Sequence, residues 1–129
     1  MGRRARSWSA ALAVFLAALT ACDSGPSGPG AIRATVNTDE ALGAVTLEVV
    51  GRGVVGFEGL GDTEAYGAVV SAGQNRHRVV LVNPVGGDLE FRIRVEDVGG
   101  ALPMIRVVAA AGTDNVERLT GGIEVDLEG

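Results

Sequence analysis

The stretch Leu89-Glu90-Phe91-Arg92-Ile93-Arg94-Val95-Glu96 decides the fold. Apolar and charged residues alternate without a break. An extended chain turns successive side chains to opposite faces, so Leu89, Phe91, Ile93 and Val95 share one face and Glu90, Arg92, Arg94 and Glu96 the other. A helix would scatter both sets around its circumference. The same grammar recurs along the chain. Ile32, Ala34 and Val36 alternate with Arg33, Thr35 and Asn37, and Val45, Leu47 and Val49 with Thr46, Glu48 and Val50. At the C-terminus, Ile123, Val125 and Leu127 alternate with Glu124, Asp126 and Glu128. One dry face and one wet face is the mark of antiparallel strands.

Two runs lack the polar half of the pattern. Arg78–Val82 and Ile105–Ala111 read as apolar on both faces, which places them in the middle of a sheet or under a covering loop. Shorter strands are expected around Gly53–Phe57 and Ala65–Ser71. Between the runs stand turn formers such as Gly51-Arg52-Gly53, Gly59-Leu60-Gly61-Asp62, Pro84-Val85-Gly86-Gly87-Asp88 and Gly112-Thr113-Asp114-Asn115. Roughly seven to nine short strands at about ten-residue spacing predict an all-β, antiparallel β-sandwich. Helix is disfavoured in residues 31–129, apart from single turns at Thr38–Leu42 or Thr113–Leu119.

Upstream, the character changes. Residues 1–6 carry Arg3, Arg4 and Arg6 and no acid, and an apolar run follows from Ala10 to Leu19. Ten residues of helix span roughly 15 Å, half of a bilayer's hydrocarbon core, so the run is a signal helix rather than a permanent span. Leu19-Thr20-Ala21-Cys22 resembles the lipobox of bacterial lipoproteins. That resemblance implies cleavage between Ala21 and Cys22 and a diacylglycerol thioether on Cys22, with a further acyl chain, typically palmitate, on the new amino group. Cys22 is the single cysteine of the chain, so it cannot close an internal disulfide. Two or more acyl chains give stable attachment where one is marginal. The expected location is the bacterial envelope, outside the cytoplasm; inner and outer membrane are both left open, as is the cell surface.

The divisions expected are a signal peptide over 1–21, the lipidated cysteine and a Gly/Pro/Ser tether over 22–30, and a folded domain over 31–129. Loss of Arg3, Arg4 and Arg6 with the signal takes the formal net charge from −5 to −8. Nucleic acid and direct attraction to an anionic membrane both reward a basic face, so the overall charge argues against either. Every basic residue is an arginine, from which no function follows.

The run from Ala31 to Leu127 also resembles the cohesin and carbohydrate-binding-module type of sandwich, with immunoglobulin-like architecture. It does so through Ile32–Asn37, Ala44–Val50, "Arg-Val-Val-Leu-Val" at 78–82 and "Gly-Asp-Leu-Glu-Phe-Arg-Ile-Arg-Val" at 87–95. The resemblance implies architecture alone.

Chemistry is sparse. His77, between Arg76 and Arg78, is the one histidine, and by itself it is neither a triad nor a metal site. Ser71 has no nucleophile-elbow context. No catalytic residue and no cofactor are assigned, and the protein is read as a non-enzyme. Asp62 with Glu64, and Asp114 with Glu117, supply oxygens of the kind calcium takes, without the spacing of a dedicated loop. Glycosidase work would want carboxylates across an aromatic-walled cleft, and the folded region has only Phe57, Tyr66 and Phe91.

A partner-binding face is conceivable on Glu90, Arg92, Arg94 and Glu96, whose bland reading is a solvated sheet surface. Phe57 and Tyr66 are the candidate aromatic contacts, whose bland reading is partial core. The expected function is that of a membrane-anchored, non-catalytic binding or structural module. Its partner would be another envelope protein. A cell-surface carbohydrate-binding module is the alternative, and a small hydrolase the least favoured class.

Overall fold

A computed structural model describes residues 25–129. The signal segment with its helix, the Ala21–Cys22 junction and the lipidation site lie outside the described residues.

The described chain is all-β. Nine strands run in order: β1 Gly30–Asn37, β2 Ala44–Val50, β3 Val54–Gly59, β4 Glu64–Ser71, β5 Arg76–Val82, β6 Leu89–Val95, β7 Met104–Ala111, β8 Glu117–Arg118 and β9 Glu124–Glu128. They form two antiparallel sheets. One has the order β3-β6-β1-β9 and the other β4-β5-β2-β7-β8. The two sheets enclose one core in a sandwich-like arrangement. The helical turns considered at 38–42 and 113–119 do not form. The first is an irregular loop, and the second becomes a turn followed by the two-residue β8.

The core is the set that alternation selects. Ile32, Ala34 and Val36 of β1, and Leu89, Phe91, Ile93 and Val95 of β6, face Val45, Leu47 and Val49 of β2 and Val79 and Leu81 of β5. β1 lies against β6 in a register that pairs Ile32 with Ile93 and Ala34 with Phe91, so dry faces coincide strand by strand. Fully burying a side chain of this size stabilises by about 1.5–3 kcal/mol, which fixes the register against a one-residue slip.

The two runs that read as apolar on both faces are interior strands: β5 lies between β4 and β2, and β7 between β2 and β8. In β7 there is a second cause. Its register against β2 shifts between Thr46 and Leu47, where Val107 pairs with Leu47 but Ala109 with Thr46. The extra residue, Val108, makes a bulge. Ile105 and Val107 therefore face the core before it, and Ala110 after it. Similar shifts accommodate Val55 in β3 and Val70 in β4.

The registers also define two ends. At the near end, residues 25–29 enter beside the β2–β3 turn, the β4–β5 turn and the β6–β7 loop. The entering segment is pinned there. Asp97 Oδ1 accepts from Gly28 N at 3.0 Å and from Gly99 N at 2.9 Å, and Val98 N donates to Gly28 O at 2.9 Å. The far end gathers the β1–β2, β3–β4, β5–β6, β7–β8 and β8–β9 connections. An eight-residue strand such as β1 separates the ends by roughly 25 Å.

Candidate binding surfaces

The outer face of the β3-β6-β1-β9 sheet is charged. Glu90, Arg92 and Arg94 occupy it on β6, Arg33 and Thr35 on β1, and Glu124, Asp126 and Glu128 on β9. Arg33 Nη2 donates to Glu90 Oε2 at 2.6 Å, and that hydrogen bond raises the Arg33 pKa. The pair is solvent-exposed, so it is worth little in stability. Glu96 does not belong to this row. It lies past the end of β6, where its backbone N–H donates to Gly53 O at 2.8 Å.

The two aromatic candidates part company. Phe57 is half-buried, packed against the core; its ring meets His77 edge-on at 5.8 Å and lies over Gly67. A Cβ at Gly67 would come within 2.4 Å of Phe57 Cδ2, so this glycine is what admits the ring. Tyr66, in contrast, is 60% exposed on the outer face of the other sheet. Its hydroxyl donates to Glu64 Oε2 at 2.5 Å, and that bond raises the phenol pKa.

Around Tyr66 the outer face is mostly small and apolar: the registers align Tyr66 with Val80, Thr46 and Ala109, and Glu64 with Val82, Ala44 and Ala111. One row nearer the near end, the character switches. Glu48 sits 3.6–3.8 Å from Arg76, Arg78 and Arg106, three guanidinium groups sharing one carboxylate. Arg76 Nε is buried without a hydrogen-bond partner.

The four carboxylates considered for calcium all sit at the far end. They are otherwise engaged or dispersed. Both Asp114 carboxylate oxygens accept from Arg118 Nη2, at 3.0 and 3.1 Å, and Oδ1 also accepts from Val116 N at 3.0 Å. The backbone hydrogen bond first, and Arg118 second, hold its pKa below the usual value. Glu64 is bonded to Tyr66, Asp62 lies in the exposed β3–β4 turn, and Glu117 begins β8. Among the described residues no three His, Cys, Asp or Glu side chains cluster as metal ligands.

The far end holds the feature that residue-by-residue reading missed. A cleft of about 420 Å³ opens between the β1–β2 loop and the β7–β9 segment, with Leu42 and Ile123 as its apolar floor. Asp39, Glu40, Glu117 and Arg118 line it, and Leu119 on its rim is 94% exposed. A second groove of about 290 Å³ runs along the other side of the β1–β2 loop, past Asp88.

The charge around both is one-sided. Among the described residues, Asp39, Glu40, Asp62, Glu64, Asp88, Asp114, Glu117 and Glu124 gather at this end against Arg118 alone. Arg118 is itself tied to Asp114, with Glu40 3.6 Å away. A low-dielectric floor under an acidic rim concentrates the field and attracts cationic groups. The cleft residues lie in three segments of the chain, 38–42, 117–119 and 122–123, so only the fold could bring the first beside the other two. No protein-family model, curated protein or solved structure matches the chain.

Proposed function

We propose that the chain is a lipid-anchored bacterial envelope lipoprotein whose cohesin-like, immunoglobulin-like sandwich is a non-catalytic protein-binding module. Cys22 would carry the lipid, and the cleft at the far end would take a basic segment of another envelope protein. The observation that supports this most strongly is the acidic cleft with its exposed Leu119, placed at the end opposite the incoming N-terminal segment. Anchored through Cys22, the protein would present that end away from the membrane. An apolar floor with a charged rim is the anatomy of a protein contact, where the floor gives affinity and the rim gives choice and approach rate.

A photo-crosslinker at position 119 in the anchored protein in cells should trap one envelope protein. Reversing Glu40 and Glu117 to arginine should abolish that product. A product that survives the charge reversal would contradict the reading.

The exposure of Tyr66 beside the small apolar rows favours one second reading, a sugar-stacking surface. Polysaccharide binding lost in Tyr66→Ala would support that reading, and no binding to any polysaccharide would remove it.

A further inference from the structure

We infer that the near end of the sandwich is a bilayer-contacting surface, which stands the molecule upright on an anionic membrane. The inference rests on the lipid anchor at Cys22 proposed above.

Reach comes first. The chain is pinned to the β6–β7 loop from Gly28 onward, which leaves six residue steps from Cys22 to the fold. At no more than ~3.5 Å per step, the near end stays within roughly 21 Å of the lipid surface and cannot rotate freely away from it.

The chemistry of that end matches a lipid interface. Pro103 is buried, packed against Gly51, where an added Cβ would come within 2.9 Å of the proline ring. Its neighbours Leu102 and Met104 are consequently turned outward, 54% and 77% exposed. Two large apolar side chains are thus presented outward beside a buried proline. Beside them, a shallow cavity of about 400 Å³ separates the β2–β3 turn, with Arg52, from Ala101 and Leu102.

Charge gives the direction. Arg52 is exposed and makes no ion pair among the described residues, while Arg76 and Arg106 share Glu48 with a third arginine. Two further carboxylates stand at the same end: Glu96 beside Gly53, and Asp97, which accepts from the Gly28 and Gly99 N–H groups. The overall negative charge of the chain therefore conceals a polarity: towards the near end Arg52, Arg76, Arg78 and Arg106 stand against Glu48, Glu96 and Asp97, while carboxylates dominate the far end. Apolar side chains flanked by arginine are the composition of an interfacial contact, and each arginine near an anionic surface strengthens it roughly fivefold. The acidic end would be repelled by the same surface.

The test uses the full protein purified from membranes and reconstituted into vesicles of phosphatidylethanolamine and phosphatidylglycerol that carry a nitroxide-labelled lipid. The chain's single cysteine is blocked by its thioether, so Leu102→Cys and Leu119→Cys each give one labelling site for a fluorophore. The label at 102 should be quenched by the lipid nitroxide and the label at 119 should not. Combining Leu102→Cys with Arg52→Gln and Arg106→Gln should release the label into water. Equal, weak quenching at 102 and 119 in protein whose mass confirms acylation would overturn the contact while leaving the anchor standing. A mass showing unmodified Cys22 would remove the anchor and the contact together.

Discussion

Tyr66 is the residue whose environment is most directly measurable, because it is the only tyrosine of the chain. Its hydroxyl donates to Glu64, and losing the phenolic proton would break that bond and set two negative charges side by side. The tyrosinate absorbance should therefore titrate above the ordinary value of 10.0, and Glu64→Gln should bring the midpoint back towards it. The stabilising contribution is complete below that ordinary value and disappears as the pH rises through the raised one. A midpoint that does not respond to Glu64→Gln would disprove the bond. Asp114 has the opposite sign. Its pKa is depressed, so its turn is held above the usual aspartate range and loosens only as the pH falls through the depressed value. The protection factor of the Val116 amide, with its intrinsic exchange rate divided out, should fall accordingly in acid.

At the scale of the element, the strands were legible and their irregularities were not. The alternation from Leu89 to Val95 gives β6 and its inward face directly, and the same holds for β1, β2 and β9. Bulges broke the rule elsewhere. Val55, Val70 and Val108 are exposed valines at register shifts, and a period-two count cannot foresee an inserted residue. Two of these bulges fall on β3 and β4, the outermost strands of their sheets at one side of the molecule. A bulge twists an edge and spoils it as a template for further pairing. Removing Val70 should straighten β4 and promote self-association, readable by light scattering against the parent chain.

The loops hold a second feature that composition concealed. Thr63 and Asn83 are buried, and both side chains donate to the Asp88 carbonyl, at 3.2 and 3.4 Å, locking the β3–β4 turn to the β5–β6 loop. Asn83 Oδ1 also accepts from Val85 N at 3.2 Å. Asn83→Ala would leave buried groups unpaired and should destabilise the fold by about 1–3 kcal/mol, measured by urea unfolding. A stability unchanged by this substitution would mean that the lock is not formed.

For the molecule as a whole, the informative property is where the charge lies. The sequence states the net charge, from which attraction to an anionic membrane looks excluded. It cannot state that carboxylates from loops distant in sequence converge at one end while Arg52, Arg76, Arg78 and Arg106 lie towards the other, beside Glu48, Glu96 and Asp97. That separation follows from strand order and register alone. The proposed address is the reverse case: the lipobox resemblance of Leu19-Thr20-Ala21-Cys22 is local and rests on four letters. The cleft, built from segments around 39–42, 117–119 and 122–123, has no local signature. Binding at an acidic cleft should weaken steeply with salt, since exposed charges are screened over about 8–10 Å at physiological ionic strength. The yield of the crosslink from position 119 should fall accordingly in high salt.

The roles proposed for the two ends both rest on the proposed anchor at Cys22, because a near end and a far end matter only if the chain is held at one of them. The most direct measurement is therefore membrane fractionation of the full chain beside Cys22→Ser, with the mass of the mature N-terminus determined in parallel. The account predicts a diacylated or triacylated Cys22 as the first residue and retention in the membrane fraction. It predicts that Cys22→Ser is recovered in the soluble fraction with its β-sheet circular dichroism intact. Membrane retention of Cys22→Ser equal to that of the parent, or a mature parent chain without acyl mass, would contradict it.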